Sequence, residues 1–147
     1  MLGGLAMQEA WLAPGLRHAE VFTLQGLLTL LWHGDPASER LVLMCGGAMG
    51  GLLGPANGLY HDLAVAFAKQ GIATMRVGYR KPGDIERCTL DVSAAADLAW
   101  RSGARRFVTM GHSFGGAIAV RVAVSVPAVA GVVTLATQSA GCEVAGG

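Results

Sequence analysis

Four short apolar runs, Leu41–Cys45, Ile72–Val77, Arg106–Met110 and Val129–Leu135, are separated by stretches whose apolar residues recur at helical spacing. Asn57–Gln70 carries Leu59, Leu63 and Phe67, with Asn57 as the expected N-cap and Gly71 as the stop. Ile85–Ser102 carries Leu90, Ala94 and Leu98 and ends at Gly103, and Ala117–Val126 is closed by Pro127. Strands apolar throughout are buried on both faces, and their alternation with helices specifies right-handed crossovers around a parallel sheet. The fold class is therefore α/β, a mostly parallel sheet with helices on both faces. Two earlier runs, His18–Leu24 and Leu27–His33, flank Gln25-Gly26 and predict an antiparallel hairpin at one edge.

Size and composition limit what such a sheet can serve. The 147 residues fit one domain, expected as an amino-terminal extension (1–17), a core (18–136) and a small-residue tail (137–147). Apolar residues are 52% and charged residues 14%, which excludes intrinsic disorder. A net charge of +1 offers no electrostatic footprint for nucleic acid. No run is long and apolar enough for a membrane span, and the first residues lack the basic start of a secretory signal. The three cysteines, Cys45, Cys88 and Cys142, are an odd set that suits a reducing compartment, so a cytoplasmic location is expected.

The chemistry lies at Gly111-His112-Ser113-Phe114-Gly115, which fits G-x-S-x-G. An apolar strand runs into it and a small-residue helix leaves it, the setting a nucleophile elbow requires. Ser113 would occupy a strained turn that glycine neighbours permit, and the N–H of Phe114 at the helix start would face a developing oxyanion. Upstream, Cys45-Gly46-Gly47-Ala48-Met49-Gly50-Gly51 follows another buried strand, and Gly47 or Ala48 is positioned to give a second N–H donor. Neither G-x-x-x-x-G-K-[ST] nor G-x-G-x-x-G occurs there, so a nucleotide loop is poorly supported.

Through Leu41–Gly51, Asn57–Gln70, Ile72–Val77 with Tyr79-Arg80, and Phe107–Gly116, the chain resembles the α/β-hydrolase family, particularly its dienelactone-hydrolase-like and small-esterase members. The resemblance implies a hydrolase of small-molecule esters with Ser113 as nucleophile and no cofactor. Many members carry His-Gly after the third strand, where this chain has Cys45-Gly46. In the family the acid follows the sixth or seventh strand and the base histidine the eighth. Six strands are expected here, so the chain resembles the amino-terminal part of such a fold, shortened after strand six.

Other residues must then be considered as base and acid. His112 precedes the nucleophile, and His61 lies one turn into the first helix beside Asp62. A two-residue Gln25-Gly26 turn would pair His18 with His33, with Glu20 and Asp35 on the same face. Two imidazoles and a carboxylate make a plausible divalent-metal set, and a metal-bound hydroxide would be an alternative route to hydrolysis of carboxyl or phosphate esters. Asp84, Glu86 and Asp91 follow the fourth expected strand and are candidates to orient a histidine or merely to start a helix.

Ending the sheet at Val129–Leu135 would leave an edge and part of one face bare. Residues 2–16 folding over that face, or a second chain pairing through 129–135, would cover it, and a homodimer or higher oligomer is expected. A catalytically inactive oligomerising module is the remaining alternative.

Overall fold

The computed structural model describes residues 4–146. Its elements run β1 (Gly4–Ala13), β2 (Leu16–Thr23), β3 (Gly26–His33), β4 (Arg40–Cys45), α1 (Pro55–Ala68), β5 (Ala73–Gly78), α2 (Ile85–Ser102), β6 (Arg106–His112), α3 (Phe114–Ser125) and β7 (Val129–Leu135), with a short 3-10 turn at Glu143–Ala145. All seven strands form one sheet in the order β1-β2-β3-β5-β4-β6-β7. Pairings from β1 to β5 are antiparallel, and those among β5, β4, β6 and β7 are parallel.

Handedness places the helices. The chain leaves β4 in one direction to reach β5, then passes back over β4 to reach β6. Right-handed crossovers in opposite directions put their helices on opposite faces. Alternate residues of β4 record this. Val42 and Met44 pack with Tyr60 and Ala64 of α1, while Leu41, Leu43 and Cys45 pack with α2 and α3. The carboxyl ends of β4 and β6 therefore feed loops to opposite faces, which opens a crevice between them.

Several expectations need correction. Residues 4–13 of the expected extension are a seventh strand, paired to β2 through the Pro14-Gly15 turn, where Gly15 has φ +74°. This strand lies at the opposite end of the sheet from β7, so it does not cover the face beside β7. Residues 2 and 3 lie outside the described residues. The β2–β3 hairpin turns at Leu24-Gln25, pairing Thr23 with Gly26. The Thr23 hydroxyl causes this, donating to the Gly26 carbonyl at 2.7 Å and accepting from Gln25 N–H at 3.1 Å, while Gly26 takes φ +121°. The register moves by two residues, placing His18 opposite Leu31 and His33 opposite Leu16. Asn57 is no N-cap, because Ala56, Asn57 and Gly58 all take left-handed conformations before the regular turns of α1. Asp84 caps α2, accepting from Arg87 N–H at 3.1 Å.

One buried ion pair ties the loop after β5 to α2. Arg80 Nε lies 2.5 Å from Asp91 Oδ1, and Arg80 N–H donates to Asp91 Oδ2 at 2.8 Å, with both side chains essentially inaccessible. Burial pushes the carboxyl above its ordinary range, and the Arg80 hydrogen bonds and charge pull it back. Replacing Asp91 with Asn strands a buried guanidinium, so Asp91→Asn should cost about 3–5 kcal/mol in urea denaturation. A loss under about 1 kcal/mol would show the pair to be effectively solvated.

Candidate active site

Ser113 stands between β6 and α3 with φ 55° and ψ −120°, a conformation L-residues rarely adopt. Its neighbours make that turn possible. A Cβ on Gly111 would run into the Gly115 carbonyl, and one on Gly115 would strike the Cys45 carbonyl. Ser113 N–H donates to Leu135 O at 3.0 Å, and Gly116 N–H returns to Ser113 O at 2.9 Å, so backbone alone holds the elbow. The loop after β7 joins it, with Gln138 N–H 3.4 Å from Ser113 O. Phe114 opens α3, so its N–H is among the first helical donors that lack a partner within the helix.

Across the crevice, β4 runs into the glycine loop. Gly47 and Gly50 form an isolated bridge, with Gly50 N–H donating to Gly47 O at 2.9 Å. Ala48 and Met49 are the exposed tip of that turn, and Gly47 is half-buried beneath them. Two buried tyrosines hold the preceding residues. Tyr60 Oη donates to Cys45 O at 2.7 Å and Tyr79 Oη to Gly46 O at 2.8 Å. Burial raises both phenols above their ordinary range, so both remain protonated donors. Burial likewise raises the Cys45 thiol, which keeps it protonated and unreactive.

The fold that brings these loops together is matched in solved structures. A dienelactone hydrolase from Anabaena variabilis is similar at 18% identity with a TM-score of 0.67, over 90% of this chain and 64% of that one. An esterase from Pyrococcus furiosus gives 19% and 0.64, over 79% of this chain and 47% of that one. An α/β serine hydrolase homologue from Coxiella burnetii gives 20% and 0.66, over 86% and 66%. The fold is that of the α/β hydrolases. The chain spans 64% of the Anabaena enzyme and 47% of the Pyrococcus esterase. No protein-family model matches the sequence, and no curated protein matches it.

Within this α/β-hydrolase fold, the expected acids and bases are placed elsewhere. Among the described residues no imidazole is hydrogen-bonded to Ser113. His61 reaches over β3 and β5, its ring edge-on to His33 at 5.5 Å and its Nδ1 3.4 Å from Arg76 Nη2, so β4 stands between it and the elbow. His112 ends β6, half-buried. Asp84 caps α2, Glu86 meets Arg121 at 2.5 Å, and Asp91 holds Arg80.

The imagined metal set does not assemble. His18 lies 3.9 Å from Glu20, His33 is buried beneath α1, and Asp35 accepts from Ala37 N–H in its own turn. Among the described residues no group of three His, Cys, Asp or Glu has metal-binding geometry. Tyr79 entered the sequence reading only as part of the resemblance and Tyr60 not at all, because their targets are backbone carbonyls that no residue pattern marks.

His33 is pushed down to about 4, by burial first and then by Arg76 and His61. Between pH 6.5 and 4 the unfolded chain takes up a proton there that the folded chain refuses. Stability should therefore fall on acidification through that window, by on the order of 3 kcal/mol, and level off below it. Urea midpoints from pH 7 to 4 measure this, and His33→Gln should flatten the slope. An equal slope in the variant would assign it to other groups.

Proposed function

We propose that the chain hydrolyses activated carboxyl esters of small molecules through Ser113. The observation that carries this reading is the strained Ser113 backbone, held where the first N–H groups of α3 meet the end of β4. Strain of this kind persists only where the surroundings impose it, and this reading takes it to lift the Ser113 hydroxyl clear of the sheet.

In this reading Ser113 Oγ attacks the ester carbonyl and gives up its proton to water. The carbonyl oxygen becomes an oxyanion against Phe114 N–H, with Gly47 or Ala48 N–H as the second donor. The positive end of α3 favours that charge further. The C–O bond to the leaving group then breaks, giving an acyl-Ser113, which water hydrolyses to the carboxylic acid. A phenolate leaves unprotonated, so an aryl ester needs no general acid. Oxyanion donors and binding alone sustain roughly 10³-fold catalysis over water. The expected enzyme is slow and tolerant of substrate.

Ser113→Ala should abolish turnover of an aryl acetate and labelling by a fluorophosphonate, with the melting temperature little changed. Undiminished turnover would make the elbow an inherited structural turn, and absent labelling of the wild type would make the chain an inactive module.

A second copy is the partner this reading assigns. Val132 and Val133 of β7 are about two-fifths exposed on an edge with one unpaired side, which suits pairing through 129–135. Light scattering at micromolar concentration should give a dimer or larger, and Val132→Lys should shift it towards monomer. A clean wild-type monomer refutes the pairing.

A further inference from the structure

We propose that Tyr79 and Tyr60 are positioning residues that hold the end of β4 in the conformation from which the glycine loop stabilises the oxyanion, an inference that rests on the Ser113 reading. Three consecutive small or flexible positions, Cys45, Gly46 and Gly47, leave β4 without side chains able to fix their peptide planes. Glycine peptides rotate readily, since no Cβ restricts them. A donor that must meet charge as it forms is useful only if it is oriented beforehand.

The two hydroxyls supply that orientation from opposite faces of the sheet. Tyr60 comes from α1 and packs with Val42, Met44 and Met110, while Tyr79 packs with Cys45, Cys88 and Phe114. Each caps one of two successive carbonyls, Cys45 O and Gly46 O. In a trans peptide the C=O and the following N–H point in opposite directions. Fixing Gly46 O on Tyr79 therefore holds Gly47 N–H on the side away from that hydroxyl, and rotation of this peptide would cost a buried hydrogen bond.

Both tyrosines are themselves immobilised. The Tyr60 ring fills the space that a Cβ on Gly54 would take, and its N–H donates to Leu53 O at 3.0 Å. Tyr79 precedes Arg80, which is anchored on Asp91, and its ring stands edge-on to Phe114 at 6.2 Å. Tyr79 thus touches both halves of the oxyanion site, the Gly46 carbonyl through its hydroxyl and the residue carrying the other donor through its ring.

The test compares wild type, Tyr79→Phe, Tyr60→Phe and Ser113→Ala on an aryl acetate, with an arylboronic acid as a tetrahedral mimic that bonds to Ser113. Loss of one orienting hydrogen bond should lower kcat by about tenfold in Tyr79→Phe. KM should stay within about twofold, because the ground-state ester does not use the oxyanion site fully. Boronate affinity should fall by the same factor as kcat, a change that loss of stability alone does not produce. Tyr60→Phe should act in the same sense and carries the test if Tyr79→Phe does not fold. Folded variants with unchanged kcat and boronate affinity, beside Ser113-dependent turnover in the wild type, overturn the inference alone. Wild-type turnover that survives Ser113→Ala, or no turnover at all, overturns the reading of the site and the inference with it.

Discussion

The start of α3 lies so close to the end of β4 that the Gly115 Cα faces the Cys45 and Gly46 carbonyls with no room for a methyl group. Much else follows from that approach. It requires glycine at 115, and the turn that delivers the helix there requires glycine at 111, where a Cβ would meet the Gly115 carbonyl. With both positions bare, the chain can turn tightly enough to hold Ser113 at positive φ between them. Gly116 is equally confined, because Thr137 from the loop after β7 occupies the space a Cβ would need. A contact between a helix and two strand ends thus determines which atom is presented and which backbone groups surround it.

The polar groups behind the crevice follow a different logic on each face. On the α2 side, Arg80 is neutralised by Asp91, so a buried charge has its partner and anchors the loop that carries Tyr79. On the α1 side, Arg76 is buried without a carboxylate among the described residues, with Leu52 O accepting from Nη1 at 3.1 Å and His61 near Nη2. An unneutralised guanidinium disfavours further positive charge nearby, and burial acts in the same direction on His33. The first arrangement anchors the loop that precedes α2, and the second adds to burial in pushing His33 below its ordinary range. His33, held this way, serves the packing and stands away from Ser113 at the far side of β5 and β4.

The parallel half of the fold was legible because its strands are buried on both faces and its helices carry a steady period. α2 spans Ile85–Ser102 as its spacing predicts, and β7 spans Val129–Leu135. β1 was not legible by that route, since all ten of its residues are exposed and no alternation of burial marks it. Its real signal was the Pro14-Gly15 turn, which suits a tight reversal. The hairpin register turned on one hydroxyl, Thr23, whose capture of Gly26 O outweighs the glycine rule for the turn. Phe114 was legible as the helix start from the elbow pattern, but the helical run was expected only from Ala117, because Gly115 and Gly116 read as turn residues although tight packing is their reason for being there. For the site, spacing identified the elbow, but the tyrosine contacts join residues 15 and 33 apart, a separation that no local pattern encodes.

Placing the donors and the nucleophile on separate supports has a chemical consequence. The Ser113 elbow is held by backbone hydrogen bonds among β6, α3 and the end of β7, whereas the glycine loop depends on side chains from α1 and the β5–α2 connection. On the proposed reading, a defect in the first support removes the reacting atom, and a defect in the second leaves the atom in place but removes stabilisation of the charge it creates. Among the described residues no imidazole is bonded to the serine, and on the proposed reading this shifts the balance towards the second support. In the proposed mechanism proton removal is left to solvent, and the preorganised N–H groups are then the main means of lowering the barrier. On that reading, rigidity behind the glycine loop matters more to rate than any single group inside the crevice.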